Sequence, residues 1–303
     1  MIRQTLLDLG HDVEDSFSKK DNPQVGTGTA PVGLTFAQPH QFLRSHDYNI
    51  GYFPWESTEL KDGWEEHLDA MDEVWVTSPW VKSVVEQKTD TPVYVYCHGY
   101  NSDYSIRHRV VNDRVRFLFM GAEAARKNFP FAIRAWRAAF QGRDDVELVV
   151  KSNFKGIDIW GGQNIVIHNG IVPHEELAGM FFDSHFMFNT SAGEGFNLPG
   201  LDALAAGMPL IAPKGYLAYE DKINPNLLVS TSMVDSPWPS IHPGQVFEPD
   251  FDETVDTLLT AVDMAEELLS EAVTNAIVDE YWEYSWENVT SKAFSELADR
   301  LGL

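Results

Sequence analysis

A single cysteine, Cys97, stands in 303 residues, which excludes an intramolecular disulfide and any zinc site built on cysteines. Basic residues are scarce as well. Lysine and arginine number 22 against 46 acids, a formal net charge of -24, so a polyanion would be repelled over most of the surface and nucleic acid is not the expected ligand. No apolar run reaches membrane-spanning length, and the N-terminal "MIRQTLLDLGHDVEDS" is too charged for a signal peptide. Repeats and low-complexity tracts are missing too. The expectation is a cytoplasmic protein without a transmembrane segment. What the chain does have is 44% hydrophobic and 12% aromatic residues, enough for a large core and, at this length, for two domains.

The hydrophobic pattern alternates between strand and helix. "VRFLFMG" (115 to 121), "VELVVKS" (146 to 152) and "NIVIHNG" (164 to 170) read as strands, with a helical stripe at Phe129, Ile133, Trp136 and Phe140 between the first two. "HEELAGMFFDS" (174 to 184) reads as a helix, followed by a buried strand at "HFMFNTS" (185 to 191). Earlier, "YNIGYFPWES" (48 to 57), "MDEVWVTS" (71 to 78) and "TPVYVYCHG" (91 to 99) read as strands, and "PWVKSVVEQK" (79 to 88) as a helix. The segment 253 to 273 reads as one long helix, with Asp252 as its cap, and 285 to 301 as another capped by Ser285. Such alternation means parallel sheets flanked by helices, with ligands at the carboxyl ends of the strands. The basic run "SIRHRVVNDRVR" (105 to 116) reads as a solvated connection between the halves. The glycines of "VGTGTAPVG" (25 to 33) read as a flexible link.

"GEGFNLPGLDALAAG" (193 to 207) places Glu194 and Asp202 across a loop that runs into a helix, with Pro199 in the first turn and Gly207 at the stop. A strand-end loop and a helix N-terminus make an anion site. On this segment alone, the acids serve either such a crevice or only the helix dipole. "AEAARKN" (122 to 128) adds Arg126 and Lys127 ahead of a helix capped by Asn128, a plausible diphosphate clamp.

These segments together resemble the GT-B-fold retaining glycosyltransferases of family 4. "EGFNLPGLDALAAGMPLI" (194 to 211) is similar to the family's pattern of a Glu, seven residues and a second Glu; "RKN" (126 to 128), "NGIVPHEELAGMF" and "IGYFPWES" extend the likeness over roughly residues 45 to 300. The resemblance implies an α/β GT-B fold of two Rossmann-like domains facing a cleft. The N-terminal acceptor-side domain (1–108) is abbreviated, lacking the usual first strand and glycine loop. A donor domain (109–280) follows, and a last helix (281–303) packs back toward the first domain.

It also implies roles. Glu194 contacts the donor hexose, and Arg126 and Lys127 neutralise the departing diphosphate. The segment Gly195, Phe196, Asn197 and Leu198 supplies backbone amides, Asp202 holds the ribose and Ile171 with Val172 flanks the base. Asn197 replaces a usual glycine, which should restrict the backbone. Many members place a histidine where this chain has Pro54 and Trp55; His40, Glu56 and His98 are the acceptor-side alternatives, although a lone histidine is more often structural. The implied reaction moves a hexose from a UDP-, GDP- or ADP-linked sugar to a hydroxyl acceptor, a glycan or lipid-linked glycan, with retention and no cofactor or metal. "DFD" (250 to 252) matches a manganese-binding pattern of another fold, but its place ahead of a helix reads as capping. The alternative is a non-catalytic nucleotide-sugar-binding subunit or scaffold.

Overall fold

The computed structural model describes residues 2–8, 10, 13, 30–104, 106–122, 125–154 and 156–302. The first half holds α1 (Ile2–Asp8), β1 (Val32–Phe36), β2 (Tyr48–Phe53), α2 (Trp64–Asp69), β3 (Glu73–Val76), α3 (Pro79–Val85) and β4 (Val93–Val95). The four strands form a parallel sheet in the order β1-β2-β3-β4. β1 has no counterpart among the strands read from the sequence, because Gly33 lies in a stretch that reads as a link. Gly33 is needed there, since a side chain at that position would collide with the ring of His46. The glycines at 26 and 28 lie outside the described residues.

The second half begins with β5 (Val115–Gly121), α4 (Phe129–Phe140), β6 (Val146–Ser152), β7 (Ile165–Asn169), α5 (His174–Asp183) and β8 (Phe186–Phe188). It continues through α6 (Leu198–Ala205), β9 (Leu210–Pro213), β10 (Leu228–Val229), an antiparallel pair β11 (Thr231–Asp235) and β12 (Gln245–Pro249), and α7 (Phe251–Asp263), α8 (Ala265–Leu268), α9 (Glu271–Tyr281) and α10 (Trp286–Leu301). Its parallel sheet runs β10-β9-β8-β5-β6-β7. Phe129, Ile133, Trp136 and Phe140 are all buried against it.

Two helix expectations need correction. The segment 253 to 273 is not one helix, because the chain breaks at Met264, makes the single turn of α8, and breaks again before α9, where the Ser270 hydroxyl accepts from the amide of Val273. Asp250, not Asp252, caps α7, accepting from the Glu253 amide at 2.8 Å; Asp252 lies in the first turn, where its charge still suits the dipole. Ser285 caps α10 at 3.2 Å.

α10 returns from the second half to cover one face of the first sheet, placing Ala293, Phe294 and Leu297 on Ile50, Tyr52, Trp75 and Tyr96. Arg300 fixes its end. The guanidinium donates to both oxygens of the buried Glu73, at 3.1 and 2.8 Å, and lies 3.9 Å over the Tyr94 ring. No helix among the described residues is long and apolar enough to cross a membrane.

Candidate active site

The order of the second sheet decides where ligands go. In this doubly wound order the connections leave β5 and β8 in opposite directions, opening a crevice at their carboxyl ends. Arg126 and Lys127 follow β5, and Glu194 follows β8. The two loops are tied together, as the Ala192 amide donates to the Arg126 carbonyl at 2.7 Å and Thr190 Oγ1 donates to that of Lys127 at 3.2 Å.

Each loop enters its helix through a left-handed asparagine, Asn128 (φ 57°) and Asn197 (φ 68°), the only non-glycine residues of positive φ among those described. Asparagine tolerates this conformation, so Asn197 makes the turn a glycine would make and the expected restriction does not arise. Asn128 gives α4 no side-chain cap, contrary to expectation, because a left-handed residue is outside the extended geometry from which a cap reaches the first amides.

Glu194 is only 4% exposed. Its carboxylate accepts from Arg126 Nη1 at 2.7 Å and from Ser191 Oγ at 2.6 Å, and it pairs with Lys127 Nζ. Burial raises its pKa, but Arg126, Lys127 and the Ser191 hydroxyl together outweigh burial and hold it at about 2. Two cations against one acid admit a second acid, and the first half supplies it. Arg126 Nη2 lies 3.2 Å from Glu56 Oε1, in the loop after β2. Burial pushes the Glu56 carboxyl up, against the pull of Arg126.

His242, which sequence reasoning missed, completes the cluster. Its Nδ1 lies 3.8 Å from Glu56 Oε2 and its ring packs 5.4 Å from Trp55. Burial lowers its pKa to about 4, so it is neutral at pH 7. It sits in the Pro-rich connection between β11 and β12, a segment with no motif to mark it.

The two halves meet tightly over the acid loop. A side chain at Gly193 would collide with the Glu56 carbonyl, and one at Gly195 with Pro54. Thr77 Oγ1 donates to the Gly195 carbonyl at 2.5 Å. Residues 191 to 197 are all buried, whereas Leu198 is exposed. Phe196 packs against His98, whose ring also meets Phe36, Tyr52 and Trp286. Burial lowers the His98 pKa to about 4, and its Nδ1 has no hydrogen-bond partner.

The other candidates lie apart. Asp202 Oδ1 accepts from the Asn101 amide at 2.7 Å, so it faces the connection between the halves; burial raises its pKa to about 7, opposed by that amide. Ile171 is fully exposed and Val172 half-buried, both after β7, at the same edge of the sheet. His40 is exposed and stacks on Trp64 at 6.0 Å, with no charged group of the Glu194 cluster among its contacts. Among the described residues, no group of three or more His, Cys, Asp or Glu side chains is placed to hold a metal ion.

Solved structures share this arrangement of sheets. Sucrose-phosphate synthase from Thermosynechococcus elongatus superposes with a TM-score of 0.67 at 14% identity, over 89% of this chain and 73% of that one. The fold is GT-B. TarM gives a TM-score of 0.65 at 14% identity, covering 87% of this chain and 54% of its own. Anabaena HepE, solved in complex with UDP and glucose, gives 0.64 at 10% identity, over 83% of this chain and 72% of that one. At such identities the GT-B likeness is one of fold. No protein-family model matches the sequence, and comparison with curated proteins returned no match.

Proposed function

We propose that the chain is a retaining, metal-independent glycosyltransferase of the family 4 type, moving a hexose from a nucleotide-diphosphate sugar to a hydroxyl acceptor. The observation that carries this reading is the convergence of Arg126, Lys127 and Glu194 at the switch point of a GT-B sheet. Residues 1–108 take the acceptor side, 109–280 the donor side, and 281–303 strap the two together.

Charge develops on the diphosphate as the glycosidic bond breaks, and two fixed cations in a dry site stabilise it without reorganisation. Arg126 and Lys127 fill that role once the donor displaces the carboxylates now paired with them. Amides of Phe196 to Leu198 add hydrogen bonds to the phosphates. Glu194 then faces the sugar, Asp202 the ribose, and Ile171 with Val172 the base. The leaving diphosphate takes the acceptor proton on the same face, so no covalent intermediate is needed. A glycan or lipid-linked glycan supplies the hydroxyl.

The burial of Glu194, in a loop whose Gly193 and Gly195 pack on Glu56 and Pro54, favours a second reading, a nucleotide-sugar-binding subunit that holds its donor without turnover. Incubation with UDP-, GDP- and ADP-hexoses separates the two. Release of nucleoside diphosphate, with an α-configured product from an α-linked donor by NMR, supports the transferase; saturable binding with no release across a broad acceptor screen supports the subunit. An inverted product would overturn retention.

A further inference from the structure

A cavity of about 590 Å³ opens at the opposite end of the same two strands, β5 and β8. Its walls come from 107–116, which lead into β5, and from 182–185, which lead into β8. The seven residues of β5 separate it from Arg126 and Lys127 by roughly 20 Å. It is therefore not part of the candidate active site.

Four arginines line it, Arg107, Arg109, Arg114 and Arg116. Arg114 and Arg116 share a single acid, Glu147, at 3.1 and 2.9 Å. Arg107 has a ring contact with Phe182 at 5.5 Å and no carboxylate within ion-pair distance among the described residues. Arg109 is 5% exposed and donates to the carbonyls of Phe181, Ser184, Arg107 and Ala206, again with no carboxylate. A buried cation held only by carbonyl dipoles is stabilised by an anion nearby. Asp113 and Asp183 also line the cavity and oppose this charge in part. His185 adds none, since its Nδ1 accepts the Arg116 amide at 2.9 Å and burial lowers its pKa. His108 faces Glu271 at 3.8 Å.

Four arginines against Glu147, Asp113 and Asp183 leave the lining net positive, in a chain whose net charge is -24. Salt confines each field to about 8 Å, so the arginines govern the cavity while the acidic surface governs its surroundings. A polymeric anion would run out over that surface and be repelled. A small one stays inside, and the volume lies within the range of small-molecule sites. Guanidinium forks match phosphate oxygens two at a time.

We propose that this cavity is a second binding site, separate from the donor site, for a small phosphate-bearing molecule with at least two negative charges. Inorganic pyrophosphate is the probe, titrated calorimetrically into the full chain at physiological ionic strength, with hydrogen exchange locating the response. Arg107 and Arg114 have exposed side chains, so the R107S/R114S variant keeps the fold, which an unchanged melting temperature verifies. Pyrophosphate should protect 106–116 and 181–185 in the wild-type chain, and the double variant should lose this protection and bind roughly tenfold or more weakly. Protection confined to 189–202, protection of 106–116 and 181–185 that persists in the variant, or no saturable binding to the wild-type chain would overturn the proposal, whatever the donor site does.

Discussion

Glu56 and Glu194, carried by different halves of the chain, share the guanidinium of Arg126, at 3.2 and 2.7 Å. The cations proposed to receive a donor diphosphate are thus neutralised by the protein's own carboxylates. Donor binding is an exchange of partners, and it has consequences for each acid.

Glu194 loses both cations in that exchange and turns to the sugar. Glu194→Gln should cut kcat by roughly a hundredfold or more while leaving donor affinity unchanged or improved. Because Arg126 and Lys127 then stand short of a buried partner, the variant should also lose about 3 kcal/mol of stability in denaturant titrations. Intact kcat would exclude Glu194 from the chemistry.

Glu56 faces Arg126, Lys127, Lys61, Glu194 and His242, and burial already raises its pKa. Once a diphosphate takes Arg126, its pKa rises further, so the donor complex binds a proton that the free protein does not. Donor affinity should therefore increase as pH falls from 7 toward 5, and calorimetry in buffers of different ionisation enthalpy should register proton uptake. Glu56→Gln should bind donor more tightly and reduce the uptake to the share that Glu194, which loses the same cations, contributes; an unchanged proton count would refute the link.

Asp202 and Glu194 act on stability with opposite sign. Asp202 titrates at about 7 in the folded chain against an ordinary value of 3.8, so its contribution is full below pH 4 and is lost as pH rises through 7. Glu194, at about 2 against 4.5, contributes above pH 4.5 and loses its contribution as pH falls through 2. The buried His98 and His242 oppose Asp202 between pH 4 and 6.5 but are common to wild type and variant. The stability advantage of Asp202→Asn should grow steadily from pH 4 to 7, measured as a difference between two urea titrations. For the ribose role, Asp202→Ala should raise the donor KM with a smaller change in kcat.

Arg109 joins the ends of α5 and α6 by donating to Phe181, Ser184 and Ala206. Those carbonyls carry the negative ends of two helix dipoles. Arg109→Met should cost about 2 to 4 kcal/mol and lower the melting temperature. A change under 0.5 kcal/mol would show that water replaces the guanidinium at no cost.

Much of this was legible from local pattern. Strand β6 spans the residues its alternation marks, and the strand, loop, helix and strand around Glu194 follow from Pro199 and Gly207. Arg126 and Lys127 meet Glu194 because β5 and β8, neighbours in a parallel sheet, present the loops after them at one edge. Strand β1 was hidden because Gly33 looks like a loop residue until the ring of His46 is seen against it. The long helix at 253 to 273 broke because a continuous apolar stripe does not record where side-chain caps interrupt it. Glu56 was named, but its arrival at Arg126 depends on how two sheets dock. Its traces in the sequence are glycines such as Gly193, Gly195 and Gly244, where a side chain would hold the halves apart.

The most direct test is nucleoside-diphosphate release from a UDP-, GDP- or ADP-hexose in excess chelator, comparing the wild-type chain with Lys127→Gln. If Arg126 and Lys127 do the electrostatic work a metal would otherwise do, the wild-type chain releases diphosphate at an undiminished rate in chelator and Lys127→Gln loses most of that rate. Release that stops in chelator and returns with manganese, or that survives Lys127→Gln unchanged, would contradict it.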